Sequence, residues 1–166
     1  MRAFVIALAA ALALSGCATV GKLDAASDVH ALLISIRDND RATFDTHVNR
    51  PALEREIQDR ITARTNRTGN ETTRALAALL APAVARLAGD VLVQPQVFRA
   101  VAEHYGYRAG MKIPPPIGIA SVLKPLPDGR VCATRKKDGP CVLMFGKMDG
   151  TWKLTGFEGE TSELRL

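Results

Sequence analysis

Thiols, imidazoles and carboxylates are the side chains of this 166-residue chain that can form bonds or move protons, and their spacing limits what they can do. Cysteines stand at 17, 132 and 141. Cys17 closes an apolar run that begins at Phe4, and Ser15 and Gly16 before it are small enough for a peptidase pocket. Cys132 and Cys141 fall on two segments that read as adjacent strands, where cross-strand Cα separations of about 4.5–5.5 Å lie within disulfide geometry. A turn centred between Lys136 and Lys137 sets them face to face. A turn centred on Asp138-Gly139 sets Cys132 opposite Phe145 instead. His30, His47 and His104 are scattered, and none has a ligand-type partner three or four residues away, so they read as solvated or helix-end side chains. Ser35, Ser121 and Ser162 lack the setting of a nucleophile, and neither G-x-S-x-G nor a phosphate-binding loop is present. Asp38, Asp40 and Asp45 cluster where two helices should meet, the place of caps and turn formers. No catalytic residue, metal site or cofactor is assigned from these patterns.

The first residues carry a second pattern. Met1-Arg2-Ala3 is a short positive start, and Phe4 to Leu14 is eleven apolar residues, shorter than the roughly 20 needed to cross a bilayer. Leu14-Ser15-Gly16-Cys17 resembles the lipobox of bacterial lipoproteins at all four positions. The resemblance implies a diacylglyceryl group on the Cys17 thiol, cleavage between Gly16 and Cys17, and acylation of the new amino group. Two or three chains then hold the protein firmly, since each buried CH₂ contributes about 0.8 kcal/mol. The alternative is an uncleaved anchor helix from Ala3 to Val20. Ala18, standing where an aspartate would retain a lipoprotein at the inner membrane, resembles the pattern of outer-membrane lipoproteins.

The expected organisation is a signal peptide over 1–16, a lipidated small-residue tether over 17–26 and one domain over 27–166. Hydrophobic residues form 47% of the chain and charged residues 23%, an ordinary globular balance. The net charge of +5 is too diffuse to argue for nucleic acid but suits an anionic surface. Arg50, Arg55, Arg60, Arg64, Arg67 and Arg74 concentrate it in the middle of the chain, with acids interleaved; the row reads as a solvated face, with contact to lipid phosphates or an anionic envelope polymer as the functional alternative.

Periodicity predicts helices first. Val29, Leu32, Leu33 and Ile36 make one stripe over 24–37, with Asp24 or Ser27 as cap. A short turn over 41–48 points Phe44 and Val48 inward, and Pro51 opens the next helix. A polar break is predicted at 64–70. Asn70 then caps a helix over 71–88 with Leu76, Leu79, Leu80, Ala83 and Leu87 as its buried face, Pro82 as a kink or split, and Gly89-Asp90 as its end. A further helix spans 95–105. After the stiff Pro114–Pro116 connector come short strands at 117–124, 130–135, 141–147 and 152–157, separated by Asp-Gly turns. Trp152 and Leu154 alternate as core residues, and Tyr105 and Tyr107 read as anchors of the connector, with the lining of a pocket mouth as the alternative. The fold class is α+β: N-terminal helices packed on one face of a C-terminal antiparallel meander of three to four strands.

Residues 28–57, with Asp40, Phe44, Val48 and Pro51-Ala52-Leu53, resemble the opening of a bacterial family catalogued as domain of unknown function 2939, and the closing Trp152 hairpin fits it. The opening is also similar to nuclear-transport-factor-like domains, which often enclose a pocket between sheet and helices. The expectation is a non-enzymatic, lipid-anchored periplasmic module, on the outer membrane in preference to the inner. Its partners would be the bilayer, through acylated Cys17, and an envelope protein or polymer. A carrier of a small apolar ligand is the alternative, and an enzyme the third reading.

Overall fold

The computed structural model describes residues 21–136 and 138–158, with the Thr68 side chain left aside. Residues 21–38 form α1. The residues from 21 to 26 expected to be a tether therefore belong to the first helix: Ala25 and Ala26 are fully buried in the core, because small side chains let α1 lie close to its neighbours. Asn39 has a left-handed φ of 56° and ends α1, and the amide of Asp40 donates to the carbonyl of Ser35.

Asp40 caps α2 (Arg41–Thr46), its carboxylate accepting from the Thr43 amide. The link to α3 (Arg50–Thr68) then runs beside the sheet. Val48 makes an isolated parallel bridge to Leu154, the Leu154 amide donates to the carbonyl of His47, and the Asn49 amide donates to the carbonyl of Leu154. Asn49 caps α3, and Pro51 stands in its first turn, where the missing N–H costs nothing. The break predicted over 64–70 shrinks to Gly69 and Asn70. The helix persists to Thr68 because its polar side chains are solvated there and no φ-restricted residue interrupts it.

Asn70 caps α4 (Glu71–Leu92) through the Thr73 amide. The helix is continuous through Pro82 and through Gly89-Asp90, so neither the expected split nor the expected end occurs. Helix α5 (Pro95–His104) follows, ended near Gly106 at φ 97°. The strand expected over 117–124 is mostly a short helix, α6 (Pro116–Ala120), since Pro116 at its first turn is preset to helical φ. Only Leu123–Pro125 remains as β1.

Strands β2 (Val131–Thr134), β3 (Cys141–Met148) and β4 (Thr151–Phe157) complete an antiparallel meander in the order β1-β2-β3-β4. Asp149 and Gly150 both take positive φ, the two-residue turn that matches strand twist. Together with the preceding helices this is the expected α+β architecture. The space between sheet and helices is filled by Phe44, Leu53, Phe145, Trp152 and Leu154, with the Phe98 ring 5.2 Å from that of Phe44. Phe44→Ala should cost about 3–5 kcal/mol and Asn70→Ala about 1 kcal/mol of unfolding free energy in urea titrations. A Phe44 variant as stable as wild type would mean that this core does not hold the fold.

Candidate functional site

The polar groups singled out in the sequence are mostly committed to structure. Asp40 is a cap, its carboxyl held below the ordinary aspartate range by the Thr43 hydroxyl and amide. Asp38 is paired with Arg37 at 2.7 Å, which lowers its pKa. Asp45 pairs with Arg41 and Arg50. Ser35 is buried and donates to the carbonyl of Leu32, and Ser121 donates to that of Gly118. His30 Nδ1 lies 2.9 Å from the carbonyl of Pro114, tying α1 to the proline connector, and His104 packs edge-on against Tyr105. Arg135 lies over the Tyr105 ring, and the enclosed Tyr107 hydroxyl has no hydrogen-bond partner among the described residues. Cys17, Gly16 and Ser162 lie outside the described residues.

One polar cluster brings together residues far apart in sequence. Asp24 Oδ2 accepts from Lys147 Nζ at 2.6 Å and from Trp152 Nε1 at 3.0 Å. Asp28 accepts from the Trp152 amide at 2.7 Å and faces His47 Nε2 at 3.5 Å. Lys147 and then Trp152 hold the Asp24 carboxyl below its ordinary pKa. The two aspartates thus fasten α1 to the β3–β4 hairpin. Neither helix-cap role expected of Asp24 or Ser27 is needed, because α1 already begins upstream of both.

Cys132 and Cys141 lie at disulfide distance, with their Cα atoms 5.4 Å apart. Neither anticipated register occurs: Cys132 faces Met144 and Thr134 faces Cys141, with a shift between Ala133 and Thr134. That irregularity was invisible in the Asp-Gly signal, which marks a turn but not a bulge.

Two open hollows mark the surface. One of about 540 Å³ lies at the α3–α4 turn, lined by Ile61, Arg64, Thr65, Gly69, Asn70 and Thr73. Another of about 380 Å³ includes Asn49, Arg55, Asp128, Arg130 and Lys147. Both are open to solvent and mix polar with apolar groups; the second is lined by Ala52 and Arg55 of α3 together with Gly146, Lys147, Met148 and Thr155 of the sheet, so it lies where α3 meets the sheet.

The most unusual surface is on α4, and it reverses the expected burial. Leu76, Leu79, Leu80, Ala83 and Leu87 are exposed, Leu79 to 77% and Leu87 to 68%. The buried positions are Ala81, Ala85 and Gly89. These recur every four residues along the side that meets α3, and a Cβ on Gly89 would come within 2.6 Å of Glu54 Cγ. Small residues allow that close approach; leucines would hold the helices further apart. Arg50 fixes the far end by donating to the carbonyls of Gly89 and Val93, the helix terminus a cation favours. Other arginines of the row are engaged locally: Arg60 with Glu56 and the carbonyl of Phe157, and Arg74 with the carbonyl of Gly69. Arg55 and Arg67 are exposed.

Two measurements test these contacts. Replacing both Cys132 and Cys141 by alanine should lower unfolding free energy by about 2–3 kcal/mol, given the short loop, and intact mass should show two hydrogens gained on reduction of wild type. Two thiols already free before reduction would remove the bridge. For Asp24, the folded pKa lies below the unfolded value of about 3.9, so its contribution is complete above that pH and is lost as pH falls through the folded value. Thermal melts of Asp24→Asn between about pH 5 and pH 2 should therefore show a shallower loss of stability than wild type; parallel curves would mean that the contact contributes nothing. No protein-family model matches the chain, and no curated protein or solved structure matches it either.

Proposed function

We propose that the chain is a lipoprotein anchored through acylated Cys17 and facing the periplasm, and that its domain works as a binding or assembly module of the envelope. The observation that carries the module reading is the exposed apolar face of α4 on a domain whose core is already filled. A carrier would hold its ligand in an apolar cavity of about 300 Å³ or more. Here the core between sheet and helices is filled by aromatic and aliphatic side chains, and the hollow of about 380 Å³ where α3 meets the sheet is open to solvent and ringed by Asn49, Arg55, Asp128, Arg130 and Lys147, not an enclosed apolar cavity.

The anchoring part rests on the four-residue lipobox behind an apolar run of suitable length. The Cys132–Cys141 pair supports export, because disulfides persist in oxidising compartments. Ala18 favours the outer membrane as the destination. The resemblance of residues 28–57 to family 2939 belongs to the same reading and adds no activity to it.

Helix α4 is long and apolar enough to cross a bilayer by composition alone, with 22 residues and a mean hydropathy of 1.7 over its most apolar window. We read it as a surface element. Its inner side is locked to the polar helix α3, and Arg50 grips its C-terminal carbonyls, so insertion would drag ionised groups into hydrocarbon.

Metabolic labelling with a fatty-acid probe tests the anchor. Wild-type protein should be labelled and should begin at Cys17 after processing, whereas Cys17→Ser should be unlabelled and should keep residues 1–16. An unlabelled wild-type chain would overturn the proposed address.

A further inference from the structure

The outward side of α4 presents Leu76, Leu79, Leu80, Ala83, Val84, Leu87 and Val91, spaced at three and four residues along about four turns. Each of the leucines and valines among them is about half exposed or more. Together they leave roughly 700 Å² of apolar side chain in water, above the ~300–600 Å² of the largest patch on a typical monomer and close to the ~800 Å² each partner contributes to a standard interface. A helix that is apolar on nearly every side is normally enclosed. Among the described residues, α4 is enclosed on the α3 side only.

We infer that this face is covered by a second copy of the chain, pairing α4 with α4 across a two-fold axis. The inference rests on the docking role given to α4 above and is independent of lipidation. Area is the first argument: the exposed stripe matches one half of a stable interface rather than the footprint of a small ligand. Charge is the second. Helix α4 carries Glu71, Asp90, Arg74 and Arg86, two acids and two bases, so one copy does not repel another. A helix resting on an anionic bilayer typically carries excess Lys or Arg and an aromatic anchor, and α4 has no lysine, no aromatic residue and no net charge.

The spacing is also self-complementary. An antiparallel pairing centred between Ala81 and Pro82 sets Leu76 opposite Leu87, Leu79 opposite Val84, and Leu80 opposite Ala83, so large side chains meet smaller ones near the axis. The α3–α4 hairpins of two copies then form a four-helix arrangement with α4 and its mate inside and the polar α3 helices outside.

Cysteine cross-linking of the full-length chain in intact cells tests this. Leu80→Cys and Ala83→Cys lie next to the axis, and with a short bis-maleimide each should give a band at twice the monomer mass. Wild type, with no cysteine near the axis, and Arg55→Cys, exposed on α3, should give no such band. Adding Leu79→Glu and Leu87→Glu to Ala83→Cys should reduce the dimer band at least tenfold. Both replaced positions are solvent-exposed within one chain, and retention of the Cys132–Cys141 bridge on non-reducing gels reports that the variant still folds. No dimer band from Leu80→Cys or Ala83→Cys, or a band unchanged by the glutamates, would overturn the pairing. An adduct of Ala83→Cys with a different protein would also overturn it, while leaving the role of α4 as a docking surface standing.

Discussion

The close approach of α4 to α3 governs how the middle of this molecule presents itself. Ala81, Ala85 and Gly89 contribute little side-chain bulk of their own between the two helices, and at Gly89 the space is taken by the Glu54 stem. Once the small residues face inward, helical geometry puts the leucines outward, since positions half a turn apart lie on opposite sides. Arg50 strengthens the arrangement by giving the end of α4 two charge-assisted donors. The exposed apolar face is therefore a consequence of how the hairpin packs and not an isolated oddity of composition.

The rest of the domain depends on a different kind of joint. The residues that join helix α1 to the β3–β4 hairpin stand more than 120 positions apart, yet Asp24 and Asp28 reach across to Lys147, the Trp152 ring and the Trp152 amide. Trp152 is buried, so its indole N–H needs a partner, and Asp24 supplies it at the protein surface. Residues 47–49 add backbone bonds to β4, covering part of a strand edge that would otherwise be open to association. With that edge partly occupied, strand addition at β4 is blocked along residues 47–49, whereas the outward face of α4 is open.

Elements governed by local chemistry were legible in the sequence. The caps Asp40 and Asn70 follow from their own side chains, Pro51 from its fixed φ, and the Asp149-Gly150 turn from positive φ. The inward positions of Phe44, Val48, Trp152 and Leu154 follow from simple periodicity. What failed needed knowledge of the neighbour. A leucine stripe says that one side of α4 is apolar, but α4 carries a second stripe of alanine and glycine, and only the presence of α3 decides which one is buried. The β2–β3 shift beside Thr134 and the pairing of Asp24 with Lys147 likewise depend on tertiary contacts. The one signal that could have reversed the α4 assignment was the four-residue recurrence of Ala77, Ala81, Ala85 and Gly89, which is the pattern of a close helix contact.

The proposed anchoring and the proposed pairing would reinforce each other. A chain tethered by acyl groups diffuses in a plane, and its copies meet at an effective concentration far above that of the same number in solution. A pairing built from leucine and valine without aromatic anchors would gain occupancy from that confinement. In the proposed pair, polar α3 helices on the outside of the hairpins would leave Arg55 and Arg67 facing the surroundings, and the basic row and the apolar stripe would lie on separate surfaces.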